Sequence, residues 1–339
     1  MQSKLVYLLA FVLVFGISCE KSSDDCESII DIPKGFPAID FPEGNEFSPE
    51  RWALGKRLFY DPILSLDSTL SCASCHKQEL SFADDVAFSD GVLNRPGTRN
   101  APSLANIAYH PYFTREGGVA TLEMQVLVPI QEHNEFAYNI VEIANKLEKI
   151  ESYVKESEAA YGRGPDHFVI TRAISNFERS LISGNSPYDQ FTFQNKSNAL
   201  TPLEEQGKDL FFSDRTSCGT CHGGFNFSDY SFANNGLYEM YDDPGRYRLT
   251  GIEEDRALFK VASLRNVALT APYMHDGRLP TLEAVLEHYE NGIHQSPTLS
   301  PILQNGISLT ENEKTDLTNF LHTLTDETLI NDERFSSPF

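Results

Sequence analysis

Positive charge is what this 339-residue sequence has least of: 27 lysines and arginines stand against 49 aspartates and glutamates, a formal net charge of −22. Such a surface repels phosphate backbones and anionic headgroups, which excludes nucleic acid and anionic membrane surfaces as partners and favours a basic protein. Long apolar runs are missing too. The one at residues 5–17 is too short for an ordinary membrane span and follows Met1-Gln2-Ser3-Lys4, the pattern of a secretory leader. Tryptophan occurs once, at Trp52, and histidine is absent from residues 77–107. The six cysteines give no readable disulfide framework, because Cys19 ends the leader, Cys26 follows in a polar stretch, and four come as two close pairs.

Those pairs are Cys72-Ala73-Ser74-Cys75-His76 and Cys218-Gly219-Thr220-Cys221-His222. Two thiols two residues apart, with histidine directly after, form the attachment pattern of a c-type haem: the thiols add to the vinyl groups and the histidine ligates iron. Four cysteines in two such pairs also read as structural zinc. Zinc modules, however, space their pairs by only about 15–20 residues and give no reason for the two histidines. The sequence therefore calls for two covalently bound haem c groups on Cys72, Cys75, His76 and Cys218, Cys221, His222.

The strings sit inside an internal duplication. Leu54-Gly55-Lys56-Arg57-Leu58-Phe59 matches Gln206-Gly207-Lys208-Asp209-Leu210-Phe211, Ser103-Leu104-Ala105-Asn106 matches Ser263-Leu264-Arg265-Asn266, and Thr121-Leu122-Glu123 matches Thr281-Leu282-Glu283. Apolar residues recur at helical spacing in residues 49–59, 140–154, 168–181, 282–289 and 317–324, and strand-like alternation is scarce. Thr201-Pro202-Leu203-Glu204 has the form of a capped helix start. The expected organisation is a leader at 1–19, an acidic tether at 20–39, an N-terminal haem domain at 40–190 and a C-terminal one at 191–339. The leader's end, Gly16-Ile17-Ser18-Cys19, is similar to a lipoprotein box, so Cys19 is expected to carry lipid. Glu20-Lys21-Ser22-Ser23-Asp24-Asp25 resembles the acidic tag of surface-displayed lipoproteins.

The two haem strings, together with Arg99-Asn100-Ala101-Pro102-Ser103-Leu104 and Leu269-Thr270-Ala271-Pro272-Tyr273-Met274-His275-Asp276-Gly277, resemble the bacterial di-haem cytochrome c peroxidase family, which includes the MauG-type enzymes. The resemblance runs from about residue 40 to 324. It implies an all-α fold of two tandem cytochrome c-like haem domains with long loops, a peroxide-binding haem on His76 and an electron-relaying haem on His222. Gln125 and Glu135 match the family's distal glutamine and glutamate, with Glu135 as proton carrier and His133 as a rival. Where many relatives have a histidine that blocks the peroxide site, this chain has Val92, so an open site is expected. Tyr289 falls where a far-face ligand of the second haem is expected, with Met274, His288 and Met240 as rivals. Arg115 replaces the tryptophan common between the haems, which leaves Tyr112 or Phe113 as substitutes. Asn100, Thr270 and Pro272 match the ligands of an inter-domain Ca2+.

The resemblance thus implies an extracytoplasmic oxidoreductase, periplasmic or held to the outer membrane by a lipid anchor, that reduces hydrogen peroxide with electrons from a small donor protein such as a cytochrome c. A homodimer is possible within the family. A MauG-like oxidase of a protein or organic substrate, and a di-haem electron carrier without peroxide chemistry, stand as alternatives.

Overall fold

The structure, a computed structural model, describes residues 29–339; the leader, Cys19, Cys26 and the first part of the acidic tether lie outside the described residues. Helix dominates. The elements of the first half are α1 (Pro49–Tyr60), α2 (Cys72–Cys75), α3 (Leu122–Gln125), α4 (Leu127–Gln131), α5 (Ile140–Leu147), α6 (Glu151–Tyr161) and α7 (His167–Glu178). The second half adds α8 (Pro187–Thr192), α9 (Pro202–Phe211), α10 (Cys218–Cys221), α11 (Tyr247–Thr250), α12 (Leu282–Asn291), α13 (Glu311–His322) and α14 (Glu327–Ile330). A two-residue antiparallel ribbon, β1 (Phe232–Ala233) on β2 (Phe259–Lys260), is the departure from an all-helical chain.

Local signals set the helix starts. Ser48 Oγ accepts from the Arg51 amide ahead of Pro49. The Thr201 and Glu204 side chains accept from each other's backbone amides in the box expected from the sequence. The expected helix at 140–154 is instead two, α5 and α6, broken at the extended Ile150. Leu147 and Tyr153 are both buried in one core, yet on a continuous helix they would point about 120° apart; the break lets both face inward.

Each half packs its first long helix across its last. In the first, α1 crosses α7 at Gly55, where an added Cβ would lie 1.9 Å from the Ala173 carbonyl oxygen. In the second, α9 crosses α13 at Gly207, where a Cβ would lie 1.9 Å from the Asp316 oxygen. One core gathers Leu54, Leu58, Phe59, Phe82, Ile174 and Phe177; the other gathers Phe211, Phe227, Leu286, Leu317 and Phe320.

Asparagines of the repeat stitch the halves together. Asn106 and Asn266, both fully buried at positive φ, take equivalent places. Asn106 donates to the Ser183 carbonyl (2.8 Å) and to Asn226 Oδ1 (3.0 Å). Asn266 donates to Ser81 Oγ (2.8 Å) and accepts from the Asp326 amide (2.7 Å). Both ends of the described chain pack on the body. The tail does not stay with residues 191–326: Leu329 and Phe335 belong to the first core, and the Phe335 carbonyl accepts from Tyr60 Oη (2.7 Å). At the described end of the tether, Phe36 packs edge-on to Tyr109 and Phe225. In both places an aromatic side chain finds more apolar contact on the body than in water.

Candidate haem and peroxide site

Both Cys-x-x-Cys-His strings open on one cavity of about 610 Å3, and Cys72, Cys75, His76, Cys218, Cys221 and His222 all line it. Each string makes a single helical turn, α2 or α10, that places its two sulfurs on one side and the histidine just past the end. His76 Nδ1 lies 2.8 Å from the Phe82 carbonyl oxygen, and His222 Nδ1 lies 3.2 Å from that of Phe227. A carbonyl can only accept, so each Nδ1 carries the proton and each Nε2 keeps a lone pair for a metal. Burial lowers the pKa of both rings, favouring the neutral, ligating form. Phe82 and Phe227 are themselves fully buried at positive φ, an uncommon setting for a bulky residue that aims their carbonyls at the rings. Paired sulfurs, an oriented imidazole and an apolar-lined chamber at each string fit a covalently held haem.

On the His76 side the cavity is also lined by Gln125, Glu132, Glu135 and Glu178. Gln125 Oε1 is buried without a hydrogen-bond partner among the described residues. Glu135 faces the cavity, yet the protein around it still removes enough water to raise its carboxyl to about 7, with the Glu132 charge adding to the rise. Its loop is pinned by the Val92 amide, which donates to the Glu135 carbonyl at 2.9 Å. Val92 itself is buried outside the cavity lining, so this position does not project into the chamber. His133 does not line the cavity and is exposed, with Nδ1 3.3 Å from Arg95 Nη1. Glu178, raised to about 8 by burial, escaped the sequence reading. Its signal was there, since it continues the buried Ile170 and Ile174 series at four-residue steps.

Around His222 the ligand candidates separate. Tyr289 and Met274 line the cavity, whereas His288 and Met240 do not. His288 Nε2 lies 3.0 Å from the Asn235 carbonyl, and Met240 is 87% exposed. Burial drives the Tyr289 hydroxyl up to about 12, partly offset by an Asn235 hydrogen bond. The Asn235 amide also donates to Met274 Sδ at 3.1 Å.

Asn100, Thr270, Pro272 and Arg115 meet at the seam of the halves, where the Asn100 amide donates to the His275 carbonyl (2.9 Å). Of the expected calcium ligands, Asn100 is already engaged. Arg115 Nη2 donates to the Asn100 carbonyl (2.7 Å) and to its Oδ1 (3.1 Å), so the one side-chain oxygen of that set already accepts from a guanidinium. Phe113 lines the cavity; Tyr112 instead stacks on Phe232 with ring centres 5.1 Å apart.

The sequence model of the di-haem cytochrome c peroxidase family matches residues 49–198. The methylamine utilization protein MauG of Methylorubrum extorquens is 34% identical over 85% of this chain and 81% of its own length. The cytochrome c551 peroxidase of Pseudomonas aeruginosa is 30% identical over 83% of this chain and 80% of its own. The cytochrome c peroxidase Ccp of Escherichia coli is 35% identical over 85% of this chain, which spans 61% of that longer protein. Among solved structures, a MauG-like protein associated with microbial copper homeostasis superposes with a TM-score of 0.86 at 36% identity, over 91% of this chain and 98% of that one. The chain thus belongs to the di-haem cytochrome c peroxidase family of oxidoreductases, whose members carry two haems.

Proposed function

We propose that this protein is a di-haem peroxidase in which hydrogen peroxide meets the haem held by Cys72, Cys75 and His76, while the haem held by Cys218, Cys221 and His222 relays electrons from an external donor. Peroxide, two protons and two electrons give two waters. The observation that carries the reading is the pair of groups facing the His76 chamber: an unpartnered Gln125 Oε1 and a Glu135 carboxyl that titrates near neutrality. When bound, haem supplies an iron that accepts the peroxide and stores oxidising equivalents. Glu135 takes the proton from the attacking oxygen and returns it to the departing one, the work for which a pKa near the operating pH is suited. Gln125 holds the outer oxygen in line through its amide. Peroxide is the substrate named for several relatives as cytochrome c peroxidases, and the chain's excess of acid suits a small basic donor such as a cytochrome c. We place the enzyme outside the cytoplasm, held by lipid on Cys19.

Tyr289 favours a second reading. With haem bound at His222, a Tyr289 oxygen on the iron would favour its oxidised state, where a thioether would favour the reduced one, and this would suit a MauG-like oxidase that withdraws electrons from a protein or organic substrate. The test uses protein matured with haem and isolated in the oxidised state. Peroxide added to it is expected to change the haem spectrum within the mixing time, without prior reduction; a response seen only after reduction by one electron would reject the open site. Turnover of reduced cytochrome c then supports the peroxidase, and its absence despite that spectral change supports the oxidase.

A further inference from the structure

Two cations line the shared cavity at the seam with no anion to meet them. Arg115 spends Nε and Nη2 on the Asn100 carbonyl (3.3 and 2.7 Å) and Nη2 on its Oδ1. Lys260 Nζ donates to the Tyr112 carbonyl (3.0 Å) and lies 3.2 Å from His110 Nδ1. The Lys260 amide donates to the Arg115 carbonyl at 2.7 Å, so β2 carries one cation to the other. Among the described residues neither makes an ion pair. The carboxylates within electrostatic reach of Arg115 are already engaged: Glu116 by Arg99 and Arg248, Asp243 by the fork of Arg99 (2.7 and 3.0 Å), and Asp276 by the Tyr238 hydroxyl.

An unpaired charge withdrawn from water is costly, and an arginine cannot escape that cost by losing its proton. Desolvation accordingly pulls Arg115 down to about 10 and Lys260 to about 8. Anions entering the cavity would offset that cost. Haem brings them: each macrocycle carries a pair of propionate carboxylates, and the cavity that takes both haems is the one these cations line.

We propose that Arg115 and Lys260 are the counter-ions of the haem propionates at the seam, and that the Arg115 guanidinium takes the Asn100 side-chain oxygen that the sequence resemblance assigned to calcium. The inference rests on the two-haem reading. A planar guanidinium suits the place, because two of its nitrogens fix the Asn100 segment while Nη1, which makes no hydrogen bond among the described residues, remains for a carboxylate. A divalent cation on the same Asn100 oxygens would displace the fork and meet its charge at close range. Holding the halves at a fixed separation then falls to a side chain, and positive charge beside the macrocycles favours ferrous over ferric iron.

The experiment starts from protein shown by pyridine haemochrome to carry two haems, so that failure of the haem reading is seen first and separately. On that protein, metal analysis is expected to find substoichiometric calcium, and a chelator is expected to leave the melting temperature and the haem midpoint potentials unchanged. Arg115→Gln and Lys260→Gln are each expected to lower a haem midpoint potential by removing a positive charge. Arg115→Lys, which keeps the charge and loses the fork, should lower the melting temperature and move the potential less. One tightly held calcium per chain whose removal drops the melting temperature would overturn the proposal. So would potentials unchanged in both glutamine variants; if Arg115→Gln does not fold, the calcium measurement on the natural protein and Lys260→Gln still decide.

Discussion

A glutamate that titrates near pH 7 can serve as acid and base within one turnover, and Glu135 reaches that state through its neighbours rather than through any feature of its own. Partial withdrawal from water and the Glu132 charge both disfavour its ionised form. Below its pKa the carboxyl is protonated and cannot accept a proton from peroxide; above it the carboxylate can. The rate of reaction with peroxide should therefore rise with pH through about 7. Glu135→Gln should flatten that limb and slow the reaction by about 10²–10⁴-fold, the usual weight of general acid–base catalysis, as read by stopped-flow spectroscopy across pH. A variant that keeps the limb and the rate would move the role to Glu132, the nearest carboxyl on the same wall. At this scale the sequence exposes the haem cysteines and histidines through spacing alone, and Gln125 and Glu135 through their flanking motifs. The burial of Arg115 and Lys260 is not readable in the same way, since a charge in a sequence gives no sign of whether water will reach it.

Between elements, the crossing of the first long helix on the last depends in each half on a missing side chain. Gly55→Ala and Gly207→Ala each put a methyl within 1.9 Å of a backbone oxygen that cannot swing away. Each should cost about 1–3 kcal/mol as the helices are forced apart, measured by denaturant unfolding of haem-loaded protein. Gly164→Ala is the control, for its Cβ would meet nothing within 4 Å; an equal loss there would remove the crossing as the cause. Both glycines, and both stitching asparagines, were visible in the sequence as repeated letters, because a duplicated packing contact demands the same small or turn-forming residue twice. The break between α5 and α6 was not visible. It arises from Leu147 and Tyr153 converging on one core, a constraint set by distant residues such as Phe59 and Phe177 rather than by the segment's own periodicity.

Over the whole chain, the first core is completed by the last residues, which no local pattern announces. Trp52 and Phe177 both pack against Phe335, and Gln78 Nε2 donates to the carbonyls of Leu329 (3.2 Å) and Asp332 (2.8 Å). Deleting residues 327–339 should thus destabilise the half that precedes them by about 3–6 kcal/mol, taking roughly 1.5–3 kcal/mol for each of Leu329 and Phe335. The thermal transition of the His76 haem would fall while that of the His222 haem moves less; equal shifts of both would mean that the tail serves the molecule as a whole. The same return path orders events in time. A chain made from its N-terminus exposes α1 and α2 long before Leu329 and Phe335 exist, so the first half stays open until synthesis is nearly complete. During that interval Cys72 and Cys75 stand in an unfinished wall, within reach of the machinery that must join a rigid macrocycle to them. Closure of the tail then completes the core against which Cys72 and Ala73 pack.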